Sequence, residues 1–175
     1  MIHHRLGILY ELDENFEESI SHLEKGRDLC GDAEEANLVS IFVSLSRIYV
    51  KAKKYQEALL CNKSLIAHQS DSSSLARVFH SMGQIYTKLS KYDKSIEYLN
   101  KSLSIHKALP DPKEMNVAVI LLDLARVNEL TMNLEAASDH LLEVSFCTLL
   151  HDKYSSPFPH YILVIYVGDS GYSNI

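Results

Sequence analysis

The chain has 175 residues, 46% apolar and 23% charged, with a formal net charge of −6 from 17 Lys and Arg against 23 Asp and Glu. That is enough chain for one domain or one short repeat array. The acidic balance argues against general nucleic-acid binding, which carries a strongly basic footprint.

Four Pro and six Gly leave room for long helices. Apolar spacing predicts helices over Met1–Leu12, Asn15–Leu29, Ala33–Ala52, Tyr55–His68, Ser72–Leu89, Tyr92–Ala108, Pro112–Thr131 and Leu134–Leu150. Asp71 to Ser74 supply N-cap candidates. Pro112 suits a first helical turn, and Asp93 and Asn133 sit at tight helix–helix turns. After that the periodicity is lost, in HDKYSSPFPHYILVIYVGDSGYSNI. This tail is expected either to be disordered or to lie over the open end of the last helix. Its apolar run YILVIYV falls short of the roughly 20 residues that span a bilayer. MIHHRLGILYELDENF is too polar and interrupted for a signal peptide. The expected location is cytoplasmic, without a membrane partner.

The helices pair into a repeat. A small residue is followed three places later by Tyr in Gly7/Tyr10, Ser46/Tyr49 and Gly83/Tyr86, and by Asn128 after Ala125. A ring or aliphatic then follows the turn, at Phe16, Tyr55, Tyr92 and Leu134. Three residues on sits another small one, at Ser19, Ala58, Ser95 and Ala137. The first landmark recurs at 39, 37 and 42 residues, but the triplets EKG, NKS and NKS recur at 38 and 38. That mismatch predicts a one-residue deletion between Ala58 and Asn62. The small residues fall where the helices of a pair meet, since a larger side chain would push the axes beyond the usual 8–10 Å. The repeat-packing set is therefore Gly7, Tyr10, Ser46, Tyr49, Ala58, Gly83, Tyr86, Tyr92, Ser95, Ala125 and Ala137. One such pair cannot bury its apolar face alone, so copies stack.

These residues resemble the tetratricopeptide repeat family over about residues 1–150. Pro110 and Pro112 fall at a junction where that family often places Pro. The period of 37–42 exceeds the usual 34, as in longer-repeat members. Where the family's helix carries Trp, this chain has His3, Phe42, Phe79 and Leu121. The resemblance implies an all-α, right-handed superhelical solenoid of antiparallel helix pairs. About four hairpins are expected, over 1–31, 32–70, 71–109 and 110–151, then a non-repeat tail, 152–175. Because neither end has the polar cap that solenoids need, the chain also reads as a fragment or shortened isoform of a longer repeat protein.

No catalytic, metal or cofactor constellation is found. Cys30, Cys61 and Cys147 lack ligand spacing and read as buried thiols. His3 and His4 are adjacent and point to different faces, and the other seven His are spread one or two per repeat, without HExxH. No GxSxG or Gly-rich phosphate loop occurs. The chain is expected to be no enzyme and to need no cofactor or metal.

The resemblance further implies that the first helix of each pair lines a concave groove. Counting from the packing positions selects Arg5, Arg47, Lys51, Arg77, His80, Gln84, Lys88 and Arg126 as its peptide-binding residues. The pairs Arg47/Lys51 and Gln84/Lys88 are each one turn apart and share a face. A basic inner face on an acidic body favours an acidic protein or peptide partner. Some members clamp the carboxylates of heat-shock chaperone tails with Lys, Asn, Asn, Lys and Arg. The matching places are His4, Ile8, Ser44, Arg77 and Ser81, and only Arg77 keeps the chemistry, so tight binding of such tails is not expected. The function these readings converge on is a protein-interaction scaffold. The alternative is a fragment without its own ligand that self-associates through open repeat ends.

Overall fold

The computed structural model describes residues 2–30, 35–68, 71–110 and 114–154, except for the side chains of 114 and 148–154. The expectations for Ala33, Pro112 and the tail beyond 154 lie outside these residues. Eight helices follow in order: α1 (Ile2–Leu12), α2 (Phe16–Asp28), α3 (Glu35–Lys51), α4 (Tyr55–His68), α5 (Ser72–Lys88), α6 (Tyr92–Ala108), α7 (Glu114–Leu130) and α8 (Leu134–Tyr154). Among the described residues all regular structure is helical. α8 runs three residues into the segment expected as a non-repeat tail; no Pro or Gly interrupts the sequence before Pro157.

Two compact units make up the chain, Met1–Ile105 and His106–Ile175. In the first, α1 packs on α2, α3 on α4, and each pair on the helix that follows. Its core includes Ile20, Leu23, Leu45, Ile48, Leu65, Met82 and Ile85. In the second, α7 packs on α8 around Ile120, Leu121, Leu124, Val127 and Val144.

Every hairpin turns the same way, on a residue with positive φ: Glu14 (57°), Lys53 (59°), Ser90 (55°) and Met132 (60°). The next residue's N–H bonds back five places, Asn15 to Tyr10 (3.0 Å), Lys54 to Tyr49 (2.8 Å), Lys91 to Tyr86 (2.9 Å) and Asn133 to Asn128 (2.8 Å). The left-handed residue's own N–H bonds three places back, to the carbonyls of Glu11, Val50, Thr87 and Glu129. This is a Schellman closure, which satisfies the carbonyls that a helix end leaves open. The position three after the small residue is thus the one whose carbonyl receives the turn. Asn128 does the same backbone work as the three tyrosines. Glycine usually takes the left-handed place because it has no Cβ to clash, yet none of the four is glycine. Side-chain caps start the helices after two of these turns: Asn15 accepts from the Glu18 N–H and Asn133 from the Ala136 N–H. Asp71 caps α5, accepting from the Ser74 N–H at 2.8 Å.

The small residues lie at helix crossings. A Cβ on Gly7 would stand 2.5 Å from Leu23 Cγ, and one on Gly83 would stand 2.6 Å from Leu99 Cγ. Both are far inside carbon contact distance. The partner helix uses the approach: the Ser19 hydroxyl donates to the Gly7 carbonyl (2.7 Å) and that of Ser95 to the Gly83 carbonyl (2.9 Å). Ser46, Ala58, Ala125 and Ala137 are buried at the corresponding places in the other hairpins. Tyr49 and Tyr86 are buried, and Tyr10 and Tyr92 half-buried. Tyr10 stacks on His22 (5.3 Å between centroids) and Tyr86 on Tyr98 (5.3 Å).

The expected deletion between Ala58 and Asn62 is not there. α4 is one uninterrupted helix. The residue facing each small position lies 16 places on in all three hairpins of the first unit: Leu23 against Gly7, Asn62 against Ser46, and Leu99 against Gly83. Asn62 therefore corresponds to Leu23 and Leu99, not to the Asn100 of the second NKS. It is only 2% exposed. The Ser46 hydroxyl donates to its carbonyl oxygen (2.9 Å), and its amide donates to the Ser81 hydroxyl (3.1 Å). The second hairpin has replaced a Gly–Leu contact with a buried polar chain across α3, α4 and α5.

Candidate interaction surface

On the first helices of the hairpins, the residues left over by packing form the expected groove set. Arg47 and Lys51, one turn apart on α3, both reach back to α1. Glu11 receives Arg47 Nε at 2.9 Å and Nη2 at 2.6 Å on its two oxygens, and Lys51 Nζ at 2.8 Å. Glu11 is only 8% exposed, whereas the two cations remain about half exposed. Burial pushes the Glu11 carboxyl up. The hydrogen bonds and charges of Lys51 and Arg47 outweigh that and hold it below the ordinary carboxylate range. Two of the expected groove cations therefore serve as an α1–α3 clasp. Beside them His4 Nε2 lies 3.1 Å from the Ser44 hydroxyl. Burial first, and then nearby positive charge including Arg47, hold His4 below the ordinary imidazole value.

Elsewhere in the first unit, Arg5, Arg77, Gln84 and Lys88 are exposed and His80 is half-buried. By the 37-residue spacing, Arg77, Gln84 and Lys88 on α5 correspond to Ser40, Arg47 and Lys51 on α3. In the second unit, Arg126 is exposed on α7. The clasp was missed from sequence because Glu11 lies 36 and 40 residues from its partners. One signal was present: an acid stands where the next two copies have Val50 and Thr87.

The described helices include none long and apolar enough to cross a membrane. Among the described residues no three His, Cys, Asp or Glu side chains gather as a metal ion would require. No disulfide joins Cys30, Cys61 and Cys147. Burial pushes the Cys61 thiol up to about 11, far from the range of a reactive thiolate.

Antiparallel helix pairs recurring on one turn geometry define a helical-hairpin repeat protein. Residues 74–145 match the family model described as tetratricopeptide repeat. Solved structures share the fold. BtubC (BKLC) from P. vanneervenii superposes with a TM-score of 0.78 at 14% identity, covering 90% of this chain and 66% of that one. The nearly identical TPR-like repeats of a putative kinesin light chain from Podosopora anserina give 0.69 at 17%, covering 88% and 75%. The apo form of RapI gives 0.70 at 15%, covering 86% and 56%. The chain thus spans just under two thirds of BtubC and little more than half of RapI. A search of curated proteins found no match. The shared feature is the architecture, a solenoid of antiparallel helix pairs.

Proposed function

We propose that the chain is a non-enzymatic, cytoplasmic scaffold that holds an acidic peptide or helix of a protein partner along the first helices of its hairpins. The observation that carries this reading is the exposure of Arg5, Arg77 and Lys88 on first helices of a chain whose net charge is −6. Arg47 and Lys51 add one net positive charge after Glu11 is counted, and Gln84, His80 and Arg126 extend the same helical positions. Nucleic acid fits poorly with the acidic balance. Chaperone tails fit poorly because His4, Ser44 and Ser81 are already bonded within the chain. The test is partner capture by wild type and by Arg77→Glu/Lys88→Glu, a pair chosen to leave the clasp whole. Loss of partners in the variant is expected, and an unchanged partner set would refute the assignment.

A second reading, association through a repeat face, has its own observation. Ile2 and Leu9 on α1 are 75% and 57% exposed. Their counterparts Ile41, Val78 and Ile120, and Ile48, Ile85 and Val127, are all buried. α1 thus carries the residues that α3, α5 and α7 bury. On this reading it docks a hairpin of a second copy. Ultracentrifugation should then show a concentration-dependent dimer that Ile2→Lys/Leu9→Lys abolishes; a monomer at every concentration would exclude it.

A further inference from the structure

A second surface of the first unit lies away from the groove set. Where α4 meets the turn between α5 and α6, a cleft of about 290 Å³ opens, lined by Gln56, Leu60, Lys63, Tyr86, Lys91 and Lys94, with Leu59 at its base. Three lysines converge there and no carboxylate lines it. None of the three has an ion-pair partner among the described residues. Lys94 Nζ sits 5.7 Å from the centre of the Tyr86 ring, and Leu60 is 62% exposed. The volume is at the small end of ligand pockets, about 300 Å³, which suits one or two side chains of a peptide.

The preceding repeat junction shows what such a corner takes. The spacings of 39 and 37 residues align Glu17, Ser21, Glu24, Tyr49, Lys54 and Glu57 with Gln56, Leu60, Lys63, Tyr86, Lys91 and Lys94. There the Tyr49 hydroxyl donates to the Glu24 carboxylate at 2.6 Å. The chain supplies an acid to its own tyrosine. One junction later Glu17 has become Gln56, Glu24 has become Lys63 and Glu57 has become Lys94. The corner has lost all three acids and gained two cations, and the Tyr86 hydroxyl has no carboxylate partner among the described residues. The reversal shows that the turn does not need Lys63 or Lys94 to form; Lys91, by contrast, is matched by Lys54 in the earlier corner.

We propose that this cleft binds a Glu or Asp side chain of an acidic peptide segment. The ligand carboxylate takes the place of Glu24, accepting from the Tyr86 hydroxyl and the lysine ammoniums, and a neighbouring apolar side chain of the same segment covers Leu60. The site is separate from the first-helix groove.

The test uses the full chain and a fluorescein-labelled peptide of alternating Glu and Leu, read by fluorescence polarisation. Its counterpart with Gln for Glu and inorganic phosphate are run beside it. Wild type should bind the Glu peptide at least about tenfold more tightly than the Gln peptide, a difference of about 1.4 kcal/mol. Lys63→Glu rebuilds the earlier junction, so it should fill the cleft with the chain's own carboxylate and abolish binding. Arg77→Glu/Lys88→Glu should bind the peptide as wild type does, which separates this site from the groove. Equal binding of the two peptides, undiminished binding by Lys63→Glu, or competition by phosphate with no Glu preference would each overturn the proposal.

Discussion

Gly83→Ala is the sharpest probe of how the hairpins are held. The added Cβ would lie 2.6 Å from Leu99 Cγ, 2.7 Å from Cδ2 and 3.3 Å from the Leu99 amide nitrogen. Leu99 is fully buried, so it cannot swing out of the way. Relief means moving α6 by about 1 Å, judged against a carbon contact of about 3.5–4 Å. That strains the Ser95 to Gly83 hydrogen bond. Overpacking of this kind costs about 1–3 kcal/mol. Alanine's better helix propensity offsets about 1 kcal/mol of it. The net expected loss is about 1 kcal/mol, roughly 2–4 °C in Tm for a chain of this size. Leu99→Ala alone should cost about 2–5 kcal/mol through the cavity it leaves. In that background the clash is gone, so Gly83→Ala should instead stabilise by somewhat under about 1 kcal/mol, the amide contact trimming the gain. The substitution changes sign with its neighbour, a coupling of about 2 kcal/mol. Urea unfolding of the four proteins, followed by circular dichroism at constant m, measures it. The same loss in both backgrounds would refute close helix approach as the reason for glycine.

Lys53→Gly and Ser90→Gly should each stabilise by about 0.5–1 kcal/mol, because a left-handed residue sheds its Cβ penalty; denaturant midpoints that fall would contradict the turn geometry. Glu11→Gln should be less stable than wild type near neutral pH. The folded Glu11 pKa is depressed, so its contribution is full above the unfolded carboxylate range and is lost as pH falls from there through the lower folded value, and thermal melts of the two proteins should converge in acid. Asn62→Leu alone should destabilise by about 1–3 kcal/mol, leaving the Ser46 hydroxyl buried without its acceptor. Adding Ser46→Gly recreates the pairing of the flanking hairpins and should recover most of that loss in the same urea experiment. Cys61 should resist iodoacetamide at pH 8 until unfolding, its thiol being buried and pushed up to about 11; mass spectrometry across a urea series reads the protection directly.

The hairpins were legible because their landmarks report a steric fact. Where two backbones nearly touch, side chains shrink to Gly, Ser or Ala, and that constraint shows in every copy: Gly7, Ser46, Gly83 and Ala125. The turns left no such trace. Glu14, Lys53, Ser90 and Met132 share a backbone conformation but no side-chain chemistry. The Schellman hydrogen bonds are made by main-chain atoms, so residue identity is nearly silent there. Register in the second hairpin was misread for the opposite reason. NKS is spelled identically twice, yet Asn62 is buried and Asn100 exposed. Letter identity says nothing about facing unless the helix phase is held from a packed residue, and holding it from Ala58 would have placed Asn62 correctly.

Charge was harder to read than packing because a cation's role depends on what stands across the helix boundary. Arg47 and Lys51 looked like a matched groove pair, and their i, i+4 spacing is real. The buried Glu11 makes the same spacing a chelating bite on one carboxylate. Truncating Arg47 or Lys51 therefore removes a counter-charge from a buried acid as well as a surface cation, so a binding loss in such a variant could come from a shifted α1. Lys88 has no such entanglement: on the preceding first helix, α3, its counterpart to Glu11, at the same offset from the small residue, is the uncharged Val50. Comparing copies position by position thus separates cations that the fold uses from cations it merely tolerates. By that comparison, Lys63 and Lys94 stand where the previous junction placed acids, so the fold does not demand their charge.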